Sequence, residues 1–542
     1  MVARRIRARL IDGVLRRPDW DSGEDDAWEP GGVMLVATNL PEALPTTVQW
    51  DVSFQLDNVE TQPQGFTFDV PEYQTIDLTT VIPSTPQPGT VTVVSTETLE
   101  RAELAAARAE QAEAGAVEAR DETVAILDYV AGGWWPKYDP ATGEYDTDEV
   151  SRFVGARRDG LVYGVEAPKG AATACTKTGA NAGVANPVPS VIGAPGSDPY
   201  LNRGPFFTIE ANGYVDNAGW PHITALEGDA NFSRTGSQDV WILTPVLWWR
   251  QVEASSTMTF EVSDSYRPGF ELQPKAVLPD GRRRPFMLFA KYALSQVDGV
   301  ARSVSGQQPL TSTVSHDSLI TICKNATTGY SGKSYADDWY VKMMFLLKYA
   351  NKSSQSVFAG VSSVSGGTVA DLRATGTCDA VPGRDGAPTN PLDPTQPFVL
   401  QGIELMLGMY ETLADVIFAN TGDGWRPRLL LDSKFAATSV TAAYIDSGVE
   451  VPTTDSSWQY SLYPRSAGGL LFGDGLGGNA TAGTGDGTYV NPASTIAARQ
   501  WLGLGSLSVI GRAGLFFVFG NYALGYGYWP FGSRLSAVGR AA

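Results

Sequence analysis

The chain is poor in the residues on which most catalytic and metal chemistry depends. Of 542 residues only two are histidine, His222 and His316, and three are cysteine, Cys175, Cys323 and Cys378. Two distant histidines leave little from which to build a Ser/His/Asp triad or a His-rich metal site. Three scattered cysteines offer neither a disulfide framework nor a ligand spacing, so a reduced environment, no cofactor and no metal are expected. Long apolar runs are missing too: no stretch reaches the about eighteen residues a membrane helix needs. The opening Arg4, Arg5, Arg7 and Arg9, followed by Leu10, Ile11, Asp12, Gly13, Val14 and Leu15, is too short and interrupted for a secretory signal core. Positive charge is scarce, with a net charge of −19, which argues against nucleic acid as a main partner. The arginine-rich start reads as a solvated or docking arm.

What is present falls into three parts. Residues 1–95 carry short strand-like runs at Gly32–Thr38, Thr47–Gln55, Gly65–Val70, Ile76–Ile82 and Thr90–Val94, with Pro83, Pro86 and Pro88 stiffening the last connection. A small β-sandwich is expected there. Residues 96–130 are free of proline and dense in Ala, Glu and Arg, with Ala102, Ala109, Ala116 and Thr123 at one heptad position and Ala105, Ala112, Ala119 and Ile126 at the other. This predicts a helix with an alanine seam, either packed singly on its own domain or joined to two further copies as a short coiled coil. Gly132 and Gly133 end it.

From 131 to 542 glycine and aromatic content rise and helical periodicity nearly vanishes. Two helices are predicted, at Ala336–Leu347 and Gly402–Ala419. Gly366–Pro397 and Gly468–Gly487 read as turn-rich loops. The fold class is therefore multi-domain, mainly β and irregular, of α+β type, built for a large core. The glycines of Gly473–Gly487 lack the lysine and the strand-to-helix setting of a phosphate loop. Asp474 and Asp486 are either cation ligands on turns or solvated carboxylates. Asp337 and Asp338 are neighbours on a helix, where adjacent side chains do not face one another, so capping is their expected role.

The last forty residues are the most distinctive. From Trp501 to Ala542 there is no Asp, Glu, Lys, Gln, Met or His, while Phe516, Phe517, Phe519, Tyr522, Tyr526, Tyr528, Trp529 and Phe531 are interleaved with glycine. Rigid aromatics with a polar edge supply contact area at small entropic cost, as in antibody loops, which suggests a binding face. An interior strand or a trimer interface is the alternative use of the same rings.

Six stretches carry a family resemblance: DGLVYGV (159–165), DVWILTPVLWWRQ (239–251), YRPGFELQPKAVLPDG (266–281), MMFLLKYANKSSQSVFAG (343–360), GIELMLGMYETLADVI (402–417) and AGLFFVFGNYALGYGYWPFGSRLSA (513–537). Together they resemble phage tail and tail-fibre proteins with a C-terminal C-type-lectin-like fold, a group often targeted by diversity-generating retroelements. The resemblance covers about residues 150–542 and does not reach residues 1–95, which are expected to attach the protein to the tail. It implies a C-type-lectin-like domain with long loops and a variable segment near 502–535. In such genes randomised adenines leave codons that cannot encode Trp, Met, Lys, Gln or Glu, and from Leu502 onward only Trp529 is of those types. Carried onto this sequence, the diversified, ligand-binding positions would be Ser508, Ile510, Arg512, Phe517, Phe519, Asn521, Tyr522, Gly525, Tyr526, Gly527, Tyr528 and Pro530. The fixed frame would be Trp529, Gly532, Arg534 and Leu535. A tight turn at Gly532, a large volume filled by Trp529 and backbone carbonyls satisfied by Arg534 would give such a frame its rigidity.

The expected function is that of a non-enzymatic adhesin at a phage tail tip, made in the host cytoplasm and carried on the virion. Its partners would be a host surface receptor, protein or glycan, together with tail or baseplate proteins and two further copies in a homotrimer, with no membrane insertion. The alternatives are a glycan-cleaving tail enzyme, which would need paired carboxylates such as Glu210, Asp216, Glu227 and Asp229, and a purely structural baseplate component.

Overall fold

A computed structural model describes residues 135–539, less 312–313, 364–367, 369–370, 421, 423, 431, 434–435, 437–438, 440, 442, 455–456 and 508, together with five short strands before residue 70. The chain divides into two compact units, Met1–Glu122 and Thr123–Ala542. In the first, Arg9–Ile11, Val14–Pro18 and Trp28–Pro30 form an antiparallel sheet, and Trp50–Val52 pairs antiparallel with Phe66–Phe68. The last two strands fall within the predicted Thr47–Gln55 and Gly65–Val70. The other predicted strands of residues 1–95, and the alanine-seamed helix of 96–130, lie outside the described residues.

The second unit is mainly β. A four-stranded sheet runs in the order Pro221–Leu226, Ile209–Val215, Asp239–Thr244, Met287–Ala290. A five-stranded sheet is centred on Trp248–Glu253, Thr257–Ser263 and Tyr163–Pro168. The largest sheet has nine strands and is curled like half a barrel. Eight of them run in the order Tyr444–Asp446, Trp425–Leu430, Tyr410–Asn420, Ala498–Leu504, Gly514–Phe519, Gly487–Tyr489, Gln459–Ala467, Leu470–Leu476, and Phe531–Gly532 pairs with Tyr410–Asn420. Three α-helices accompany these sheets among the described residues: α1 (Thr147–Gly155), α2 (His316–Lys324) and α3 (Tyr335–Tyr349).

Helix α3 extends the predicted Ala336–Leu347 by one residue at the start and two at the end, and its boundaries have local causes. Ser334 caps it, its hydroxyl accepting from Asp337 N while the Asp337 carboxylate accepts from Ser334 N, and Ala350 closes it in the left-handed region at φ 47°. Asp337 thus has the capping role expected of it. All fifteen residues of α3 are buried, the charged Asp337, Asp338, Lys342 and Lys348 among them. Its charges are paired: Asp338 meets Lys333 at 2.7 Å and Lys342 at 2.5 Å.

The predicted helix at Gly402–Ala419 is not formed. Ile403–Leu405 is a short strand and Tyr410–Asn420 is an eleven-residue strand at the centre of the large sheet. Every residue from Tyr410 to Ala419 is buried. A strand covered on both faces loses its alternation, so apolar residues fall at helical spacing by accident; Thr412, Val416, Ile417 and Phe418 show the β preference instead. Gly468–Gly487, expected to be extended and turn-rich, is more regular than a loop in its first half. Leu470–Leu476 is a strand paired with Gln459–Ala467, and turns begin only beyond it.

The C-terminal segment is woven into this core. Gly514–Phe519 is an interior strand, Phe531–Gly532 runs parallel to Tyr410–Glu411, and Leu535–Ala537 pairs with Tyr330–Gly332.

Candidate functional site

The aromatic residues of the C-terminal segment form a graded ladder from interior to surface. Phe516 and Phe517 are sealed and Phe519 lies at the edge of the core at 9% exposure. Phe519 stacks on Tyr489 at 5.3 Å and on Tyr522 at 5.0 Å; Tyr522 stacks on Tyr526 at 4.6 Å, nearly parallel at 4°. Tyr526 and Tyr528 end the ladder at the surface, 44% and 45% exposed. Phe531, fully buried, meets Tyr522, Tyr526 and Tyr528 edge-on from beneath. Such ring pairs are worth about 0.5–1.5 kcal/mol each beyond area burial, so the two exposed rings stand on a continuous aromatic support. Burial raises the Tyr522 phenol above its ordinary value.

The loop that carries these rings is pinned from several sides. Gln500, fully buried, donates from its backbone N to Tyr522 O (3.0 Å) and from Nε2 to Ala523 O (3.1 Å) and Tyr526 O (2.7 Å), while its Oε1 accepts from His316 N (3.2 Å). Asp317 N, in the first turn of α2, donates to Leu524 O at 3.2 Å. Leu524, 7% exposed, packs into the core that includes Leu319 and Ile320. Arg499 stacks its guanidinium on Trp425 at 3.6 Å and donates to Gly520 O and the Asn521 amide oxygen. Cutting the Gln500 side-chain bonds is expected to release about 2 kcal/mol of local stability, a rise of about 30-fold in amide exchange over residues 521–528 in Gln500→Ala. Exchange mass spectrometry reads this, and unchanged rates would mean that other contacts hold the loop.

Beneath the loop lies a buried charge network. Arg534 donates from Nε to Glu411 (2.6 Å), from one terminal nitrogen to Lys291 O (3.2 Å) and from the other to Glu404 O. Glu411 also accepts from Lys333 at 2.6 Å. Burial alone would raise the Glu411 carboxyl, but Arg534 and Lys333 outweigh it and hold it below the usual carboxylate range.

Of the twelve positions expected to form the ligand face, the fold exposes Gly525, Tyr526, Gly527 and Tyr528 and leaves Arg512, Asn521 and Tyr522 half-buried. Phe517, Phe519 and Pro530 do not face outward. The two phenylalanines belong to an interior strand covered on both faces, and Pro530 is buried with its carbonyl accepting from Tyr410 N at 2.9 Å. Asn521 has its oxygen committed to Asn491 N and Arg499, and Arg512 lies over Trp458 at 5.6 Å. Ile510 opens a short 3-10 turn, Ile510–Arg512, and Ser508 lies outside the described residues. In the expected frame, Leu535 is buried, whereas Trp529 is only half-buried against the cluster containing Met406, Met409 and Leu507. Gly532 sits in a strand rather than a tight turn. Glycine is needed there because an added Cβ would lie 2.4 Å from Met409 Sδ.

The candidate enzymatic carboxylates do not converge on a free pair. Glu210 is held by Lys291 (2.8 Å) and Arg234 (2.7 Å), Glu227 by Arg384 (2.5 Å). Asp229 accepts from Tyr145, Trp135 and Leu226 N, and Asp216 from Ala218 N and Trp220 N. Asp474 pairs with Arg465, and Asp486 is buried, accepting from Phe516 N at 2.7 Å; burial pushes its carboxyl well above the usual range. Among the described residues no group of three or more His, Cys, Asp or Glu is placed to hold a metal ion. The residues that sequence reasoning missed are Trp458, Tyr489, Gln500 and Leu524, whose roles arise from contacts across the sheet and carry no local signature. Comparison with protein-family models finds no match to this chain, and comparison with curated proteins finds none either.

Proposed function

We propose that this chain is a receptor-binding protein of a phage tail tip, with a C-type-lectin-like domain that presents the loop 521–528 as its gripping surface. The observation that carries the reading is the pair of exposed rings, Tyr526 and Tyr528, standing on a stacked aromatic ladder in a loop clamped by Gln500 and α2. Large side chains held in place before contact lose little entropy on binding. A soluble protein of this kind acts by occupying receptors, and joining three copies through residues 96–130 would strengthen weak single contacts by avidity.

The purified chain, added to host cells before the phage, is expected to slow adsorption in a dose-dependent way. Adsorption unaffected at saturating protein would favour the structural baseplate alternative.

A further inference from the structure

A second surface, apart from the tyrosine loop, has the makings of a ligand site. A groove of about 380 Å³ is lined by Tyr214, Asp216, Asn217, Arg302, Thr327 and Tyr330. Its volume falls within the range of small-molecule sites, roughly 300–1,000 Å³. We propose that this groove binds a neutral sugar ring, such as one unit of a surface glycan. The inference is independent of the tail-tip reading.

Three features carry it. Tyr214 is a rigid platform, 42% exposed: its ring is stacked on His222 at 4.8 Å and 5°, and Glu144 accepts from its hydroxyl at 2.7 Å and bonds His222 Nδ1 at 2.8 Å. The Glu144 bond, with burial, pushes the phenol up to about 12, so the hydroxyl keeps its proton. An aromatic face of this sort suits the apolar C–H face of a pyranose. The polar groups beside it are oriented and of both kinds. Asp216 Oδ1 is fixed by Ala218 N and Trp220 N, both at 2.8 Å, while among the described residues Oδ2 has only His222 at 4.0 Å, and the side chain is 42% exposed. The Asn217 oxygen accepts from Thr327 and Thr328 hydroxyls at 2.9 and 2.8 Å, which leaves its NH2 group as the donor for a ligand. An acceptor and a donor side by side match the vicinal hydroxyls of a sugar, each of which both gives and takes a hydrogen bond.

Charge then decides against an anionic ligand. Arg302 is partly neutralised by Asp239 at 3.5 Å, and Asp216 adds a carboxylate at the rim. A phosphate or uronate would meet that carboxylate directly, whereas a neutral ring would not.

Saturation-transfer NMR of the purified full chain with the methyl glycosides of glucose, galactose, mannose and N-acetylglucosamine, at millimolar concentration, tests the assignment. Transfer to the ring protons of at least one glycoside is expected. It should fall about tenfold in Tyr214→Ala and in Asn217→Asp, which keeps the shape and removes the donor, and persist in the Tyr526→Ala/Tyr528→Ala variant. No transfer from any of the four, or transfer unchanged in Asn217→Asp, would overturn it. Transfer abolished by the Tyr526→Ala/Tyr528→Ala change would place the sugar on the tyrosine loop and equally overturn it.

Discussion

Arg534→Ala is expected to lower unfolding stability by about 3–5 kcal/mol, since removing one partner of a buried ion pair leaves uncompensated charge behind. The residue is 4% exposed, and its side chain bridges Glu411, itself fully buried, to the carbonyls of Lys291 and Glu404. Lys333 keeps Glu411 partly paired and Lys291 O keeps its bond from Glu404 N at 2.9 Å, so the loss comes mainly from the weakened pairing of the buried Glu411 charge, with the lost Arg534 bonds to the two carbonyls adding to it. Against a total of about 5–15 kcal/mol that is enough to shift the denaturant midpoint markedly. Arg534→Lys keeps the charge but not the fork of donors, so it should fall between parent and Ala. A midpoint change in Arg534→Ala worth under about 1 kcal/mol would show that the network does not hold the C-terminal segment. The same network makes the fold acid-sensitive. The Glu411 carboxyl is depressed in the folded state, so its contribution is complete above the ordinary carboxylate range and is lost as pH falls through and below it.

The second large effect concerns binding rather than stability. Truncating a central interface tyrosine typically costs about 2 kcal/mol or more, so Tyr526→Ala/Tyr528→Ala together should weaken a single-site contact by about 4 kcal/mol, or about a thousandfold. Both rings are nearly half exposed. What folding loses is the edge contact of each with Phe531, the stack of Tyr526 on Tyr522, the contact between the two rings and the edge contact of Tyr528 with Trp529, about 0.5–1.5 kcal/mol per pair. Loss of binding in a variant that still folds cooperatively is the signature of a binding face. The reverse pattern would mark the rings as structural.

How much of this was legible in the sequence depends on how local each signal was. Helix α3 was readable because its cap, its capping-box acid and its apolar run are contiguous. The strand Tyr410–Asn420 was misread as a helix because burial on both faces erased the period-2 pattern. The aromatic density of the last forty residues marked the segment that carries the ring ladder but could not partition it into buried and exposed rings. Whether Phe517 and Phe519 face solvent depends on Tyr410 and Tyr489, from other strands of the sheet, and on Trp458, just ahead of Gln459–Ala467. Gln500 carried no motif. Its importance lies in three backbone groups that only the folded chain brings within reach.

The most direct measurement is the adsorption rate of phage particles carrying Tyr526→Ala/Tyr528→Ala in this protein. The particles should assemble as the parent does, with a lowered thermal midpoint but a fully folded protein at the assay temperature, and adsorption to host cells should fall by at least about tenfold even with avidity retained. Particles that assemble normally and adsorb at the parental rate would contradict the claim that these two tyrosines grip the host.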